Sequence, residues 1–103
     1  MHVDLQSNEV VSKAGTSFYE HLEGSIEGKL IITNQRLYFK SVNPSQNTYN
    51  LEIQPSEIED MRFLNFMKIL PVGLCLVLNN GTRYPFKLRN RDEWARAIGK
   101  LWK

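Results

Sequence analysis

The chain has 103 residues, enough for one modest hydrophobic core and too few for two. Its 42% hydrophobic and 23% charged content is that of a folded globular domain, which excludes disordered and fibrous classes. The net charge of +2 falls short of the strongly basic footprint of a nucleic-acid binder. That value hides an asymmetry. Residues 1–60 carry four basic and nine acidic side chains, net −5, while residues 61–103 carry nine basic and two acidic ones, net +7. Charge polarised in this way attracts an anionic partner. The single cysteine, Cys75, has no intramolecular disulfide partner, and Met1 to Gln6 lack the basic and apolar regions of a secretory signal. A cytoplasmic location follows as the expectation, with peripheral attachment to a membrane left open. The apolar run 63–78 falls short of the roughly 20 residues of a spanning helix. It is also broken by Asn65, Lys68, Pro71 and Gly73, so two strands around a loop explain it better.

Residues 1–9 are mostly polar and read as a flexible segment ahead of one domain over 10–103. A first strand is predicted from Val10 to Tyr19, weakly patterned, with Gly15 as a bend or bulge. A turn over Glu20–Gly24 leads to a second strand, Ser25–Thr33, and a third, Arg36–Val42. Apolar residues alternate through Leu30 and Ile32 before the Asn34-Gln35 turn, and through Leu37 and Phe39 after it. Asn43–Asn47 is a dense loop signal, and alternation of Tyr49, Leu51 and Ile53 marks a fourth strand ended by Pro55. Ser56–Asp60 has the makings of one helical turn, but Met61–Leu64 favours a fifth strand. A sixth runs from Val72 to Leu78. Asn79-Asn80-Gly81-Thr82 predicts a tight type I′ hairpin into a seventh, where Tyr84, Phe86 and Leu88 face the core and Arg83, Lys87 and Arg89 face outward. The period then changes. Trp94, Ala97, Ile98, Leu101 and Trp102 form one helical stripe, with Asn90 as N-cap and Glu93 completing a capping-box pair.

The segment Gly28 to Phe39 resembles the signature of the GRAM family, a branch of the pleckstrin-homology-like domains, through Gly28, Leu30, Ile32, Thr33, Arg36, Leu37 and Phe39. Ile53 to Ile58 and the Asn80–Phe86 hairpin are similar to later steps of the same pattern, so the resemblance spans roughly Val10 to Trp102. It implies a mainly β, partly open barrel of about seven antiparallel strands in two near-orthogonal sheets, capped by one C-terminal amphipathic helix. It also implies a docking module. Gly28, Thr33, Arg36 and Phe39 are then residues of the scaffold: Gly28 at a close strand crossing, Arg36 tying down a turn or strand edge.

Catalysis finds little support. His2 and His21 have no third ligand at metal-binding spacing, no Ser/His/Asp set can be assembled, and Cys75 on an apolar strand reads as a small hydrophobe. No metal site, cofactor or enzymatic activity is expected. The inositol-phosphate site that the resemblance implies, around the first hairpin loop, is opposed by Glu20, Glu23 and Glu27, which repel phosphate. Two other surfaces remain. Lys68, Arg83, Lys87 and Arg89 form a candidate anion- or lipid-binding set, extended by Arg91, Arg96 and Lys100. Phe66, Met67, Ile69 and Leu70 form a candidate interaction loop. The first expectation is a non-catalytic binding module with a protein partner or a second copy of itself. The alternative is peripheral binding to an anionic phospholipid surface. Tyr84 and Phe86 point away from the basic strand face, which argues against nucleic acid.

Overall fold

The computed structural model describes residues 5–21, 24–66 and 70–102. Strands β1 (Val11–His21), β2 (Gly24–Thr33) and β3 (Leu37–Ser41) form a meander, continued by the short β4 (Leu51–Ile53). A second meander contains β5 (Ile58–Phe66), β6 (Leu70–Leu78) and β7 (Arg83–Lys87). The family resemblance implied two near-orthogonal sheets; the hydrogen-bonded ladder is instead continuous. β1 pairs with β7 at Phe18↔Lys87 and Tyr19↔Phe86, which joins all seven antiparallel strands into one sheet ordered β4-β3-β2-β1-β7-β6-β5. Its two ends, β4 and β5, are not bonded to each other, so the barrel stays open.

Period-two alternation puts Leu30, Ile32, Leu37, Phe39, Ile53, Leu74, Leu76 and Phe86 on the concave side, where they are fully buried. The helix α1 (Arg91–Trp102) closes this core by inserting Trp94 and Ile98. Asp92 and Glu93 in its first turn and Lys100 in its last complement the helix dipole. Gly28 on β2 leaves no room for a side chain against β3: a Cβ there would stand 2.4 Å from the Lys40 carbonyl oxygen and 2.6 Å from the Phe39 ring. β1 looked weak in sequence for a physical reason. Of its core-facing positions, Gly15 and Ser17 are small and only Tyr19 is a large core side chain: a Cβ at Gly15 would stand 3.1 Å from the Trp94 ring, and Ser17 is fully buried. The irregularity in β1 falls between Val11 and Lys13, whereas Gly15 pairs regularly with Leu30.

Several boundaries move. A 3₁₀ helix over Pro44–Tyr49 replaces the expected loop and the start of the fourth strand. The Asn43 side chain accepts from the Ser45 amide, Pro44 suits the first helical position, and the Asn50 carboxamide takes the Ser41 amide at 2.8 Å. Tyr49 thereby packs edge-on against Tyr19 rather than into a ladder. A second 3₁₀ turn, Pro55–Glu57, precedes β5, held by a capping box between Gln54 and Glu57. The β6–β7 turn is not type I′. Gly81 alone in it has positive φ, 88°, and its amide donates to the Leu78 carbonyl, giving a type I turn closed by a left-handed glycine. Asn90 also departs from the expected cap conformation: at φ 55° it is left-handed, and its carbonyl accepts from the amides of Glu93 and Trp94.

The leader packs against the hairpin tip. Val10 and Asn34 exchange two hydrogen bonds at 2.8 and 3.0 Å, and the Asn34 and Gln35 carboxamides donate to the carbonyls of Asn8 and Ser7. Beneath them Glu9 accepts from Arg36 at both oxygens, 2.8 and 2.9 Å, and from the Thr33 hydroxyl at 2.6 Å.

Candidate functional site

β7 presents Arg83, Pro85 and Lys87 outward, and the chain then turns through Leu88–Asn90 into α1. β1 and β7 are paired only near Phe18 and Tyr19. Towards its N-terminal end β1 continues alongside β2 without β7, so a gap opens between β1 and the turn into α1. That gap is a cavity of about 750 Å³. Lys13 and Thr16 line it from β1, Lys87 from the end of β7, Arg89 from the turn that follows, and Trp94 from the helix. Phe18, exposed at 36%, stands beside them. No carboxylate is among its described lining residues.

Each cation arrives by a different route. Lys13 is core-facing in register but lies 4.9 Å over the Trp94 ring and 3.6 Å from Glu93. Lys87 faces outward opposite Phe18, on the convex side. Arg89 follows the strand in the turn and is exposed. Gly15 sits under Trp94, where a Cβ would be 3.1 Å from the ring, so the indole lies directly on β1.

The structure divides the basic residues picked from sequence. Lys87 and Arg89 meet at this cavity. Arg83 is at the other end of β7, where it and Arg62 flank Cys75 on the convex face. Burial pushes the Cys75 thiol up, and the two arginines offset this only in part. Arg91 does not extend the patch but stacks 4.5 Å over the Phe63 ring. Arg96 and Lys100 line a separate groove of about 790 Å³ along α1, together with Lys13 and Glu93. Lys68, Met67 and Ile69 lie outside the described residues, while Phe66 ends β5 and Leu70 begins β6. Lys13 and Thr16 were missed, since their role comes from the divergence of two strands. The Lys13–Glu93 charge pair, eighty positions apart, offers no periodic signal.

Arg36 turns inward. Only 7% exposed, it bridges Glu9 and Glu52, 3.1 Å from the latter, with its guanidinium 4.5 Å over the Tyr38 ring. The Arg36 hydrogen bonds, against the opposing effect of burial, hold the Glu9 carboxyl down at about 2. The same partners raise Arg36 above its ordinary value. Glu9 and Arg36 are both buried in this cluster. Among the described residues no group of three or more His, Cys, Asp or Glu is placed to hold a metal ion. No described helix is long and apolar enough to cross a membrane.

No family model matches the sequence, and no curated protein does. The solved structures agree on the architecture. The N-terminal PH domain of Vps36 superposes with a TM-score of 0.72 over 95% of this chain and 82% of its own, at 14% identity. The C-terminal PH domain of human pleckstrin gives 0.69 over 98% and 97%, at 15% identity. The fold is that of a pleckstrin-homology domain. A third example, the Slm1 PH domain in complex with phosphoserine, gives 0.61 over 88% and 91%, at 14% identity. In the pleckstrin-homology-like fold of this chain, the first hairpin is acidic at its end. Glu20 accepts from the Ser25 hydroxyl and Glu27 is exposed on β2 opposite Phe18.

Proposed function

We propose that this chain is a non-catalytic cytoplasmic binding module that docks peripherally on anionic membrane surfaces. The observation that carries this reading is the convergence of Lys13, Lys87 and Arg89 on one cavity with no described acidic lining residue. Each basic residue near an anionic bilayer contributes about 1 kcal/mol, so three or four give weak, salt-sensitive attachment. Phe18 at the cavity edge supplies an apolar side chain to the interface. The fold supports a binding role, and one neighbour of the same fold was crystallised with a phosphate ester. The Gly28–Phe39 pattern supports the narrower GRAM-type assignment within that fold.

Co-sedimentation with vesicles rich in phosphatidylserine, against neutral phosphatidylcholine, tests the reading. Binding is expected at low salt and only to the anionic vesicles. It should fade towards about 1 M salt, where the screening length is roughly 3 Å. Equal or no binding to both vesicle types at low salt would sink it.

Docking to a protein partner or a second copy has its own supporting observation. β5 is a nine-residue edge strand, and Phe63 on it is 53% exposed. Sedimentation velocity decides this case: concentration-dependent association, removed by Phe63→Asp, supports it, and a monomer at every concentration rules out self-association.

A further inference from the structure

We infer that the groove along α1 is a docking site for an acidic amphipathic segment of a partner protein. It shares only Lys13 with the β1–β7 cavity and does not depend on membrane docking there.

The helix carries two stripes. Trp94 and Ile98 enter the core. Glu93, Arg96, Ala97, Lys100 and Leu101 recur at the same three- and four-residue spacing on an adjoining face, and all five line the groove. At about 1.5 Å per residue that face runs for about 12 Å. The end of β2 forms the other wall, with Ile32 at its base. The groove holds about 790 Å³, within the range of clefts that enclose a bound ligand.

Its charge is concentrated on the helix. At one end Lys13 and Glu93 form an ion pair of 3.6 Å, and Lys13 also lies over the Trp94 ring, so that end is neutral. Arg96 and Lys100 remain. Both are exposed, and among the described residues neither makes a hydrogen bond or an ion pair. Asp92, one turn before Arg96, is exposed and makes no ion pair with it. Two like charges four residues apart work against an isolated helix, so the pair adds nothing to the stability of α1. The β wall offers no competing polar contact. The Ser12 hydroxyl donates to the Ile32 carbonyl, the Thr33 hydroxyl to Glu9, and the Asn34 carboxamide is held between Val10 and Asn8.

The occupant follows from that arrangement. Ala97 and Leu101 are half-buried beside the two cations, so the groove presents apolar surface flanked by positive charge. A partner helix with Asp or Glu at i and i+4 and apolar residues at i+3 and i+7 carries the complementary pattern, its carboxylates about 5–6 Å apart. Complementary charge of this kind steers the encounter and fixes the register. A bilayer meets what protrudes from a protein, and here the apolar surface is recessed between two walls. Nucleic-acid bases would need an aromatic side chain to stack on, and none is among the described lining residues.

The test pans phage-displayed random peptides of about twelve residues, about three turns of helix, against the whole chain. The library is first cleared on the Arg96→Gln/Lys100→Gln variant. Enriched peptides are expected to place carboxylates at i and i+4 beside apolar residues. The consensus peptide, synthesised and labelled, should bind saturably in fluorescence anisotropy and weaken as salt rises. Arg96→Gln/Lys100→Gln should weaken it by about fivefold or more, and Arg83→Gln/Arg89→Gln, which removes the same charge near β7, by less than about twofold. Thermal unfolding confirms that both variants are folded. Amide shifts of the nitrogen-15-labelled chain on binding should gather at residues 32–34 and 93–101. No peptide enriched after clearing, equal losses from the two variants, or shifts gathered elsewhere overturn the site. Sedimentation with phosphatidylserine vesicles supplies the last arm. Arg96→Gln/Lys100→Gln should leave it unchanged, and loss of vesicle and peptide binding together would give this face to the bilayer and overturn the peptide site.

Discussion

Glu9 and Arg36 set the behaviour of this molecule at the scale of single residues. Both are buried, and each satisfies the charge of the other through two hydrogen bonds. Removing one partner of a buried pair typically costs about 3–5 kcal/mol, because the survivor remains desolvated. Glu9→Gln should fall near the lower end, about 3 kcal/mol, since Glu52 still faces Arg36 at 3.1 Å. Arg36→Met should exceed it, leaving Glu9 only the Thr33 hydroxyl and the Gln6 amide. Urea unfolding of both variants and of the double variant measures the coupling. The acid limb carries the same signature. The Glu9 carboxyl is held at about 2, below its ordinary 4.5, so its contribution is complete above pH 4.5 and is lost as pH falls towards 2. A plot of melting temperature against pH should therefore be flatter for Glu9→Gln than for the natural chain across that window. Glu9 was not legible as a partner of Arg36, because an acidic residue in a polar leader looks solvated until Arg36, 27 positions away, is brought beside it.

At the scale of elements, the β2–β3 hairpin and α1 were readable because their periods are local. Leu30, Ile32, Leu37 and Phe39 repeat every second residue, and Trp94, Ala97, Ile98 and Leu101 every third or fourth. The hairpin depends on Gly28. Gly28→Ala forces a methyl onto the Lys40 carbonyl and the Phe39 ring, one of them backbone and the other fully buried. Overpacking of this kind costs about 1–3 kcal/mol and sometimes more, and chemical denaturation should place this variant at the upper end. The helix depends on Trp94, whose replacement by Ala should cost about 3–5 kcal/mol by opening a cavity between α1 and β1. β1 and the stretch 44–49 were hard to read for the opposite reason. Their conformations answer to what packs on them, the indole over Gly15 in one case and the Ser41–Asn50 bond in the other.

For the whole molecule, the net charge of +2 says less than its placement. Reversing the exposed Arg89 to Glu should weaken sedimentation with anionic vesicles while leaving unfolding within about 0.5 kcal/mol of the natural chain, as surface substitutions usually do. The amino-acid sequence by itself determined the mainly β class, the terminal helix and the excess of positive charge in residues 61–103. Each of these follows from composition or from a repeat of two to four residues. Only the tertiary structure decided that the two meanders form one sheet through β1 and β7, that Glu9 lies under Arg36, and that Lys13 stands with Lys87 and Arg89. Those are pairings across some seventy, twenty-seven and seventy-five positions, set by where strands diverge and what fills the gap, and no local pattern encodes them.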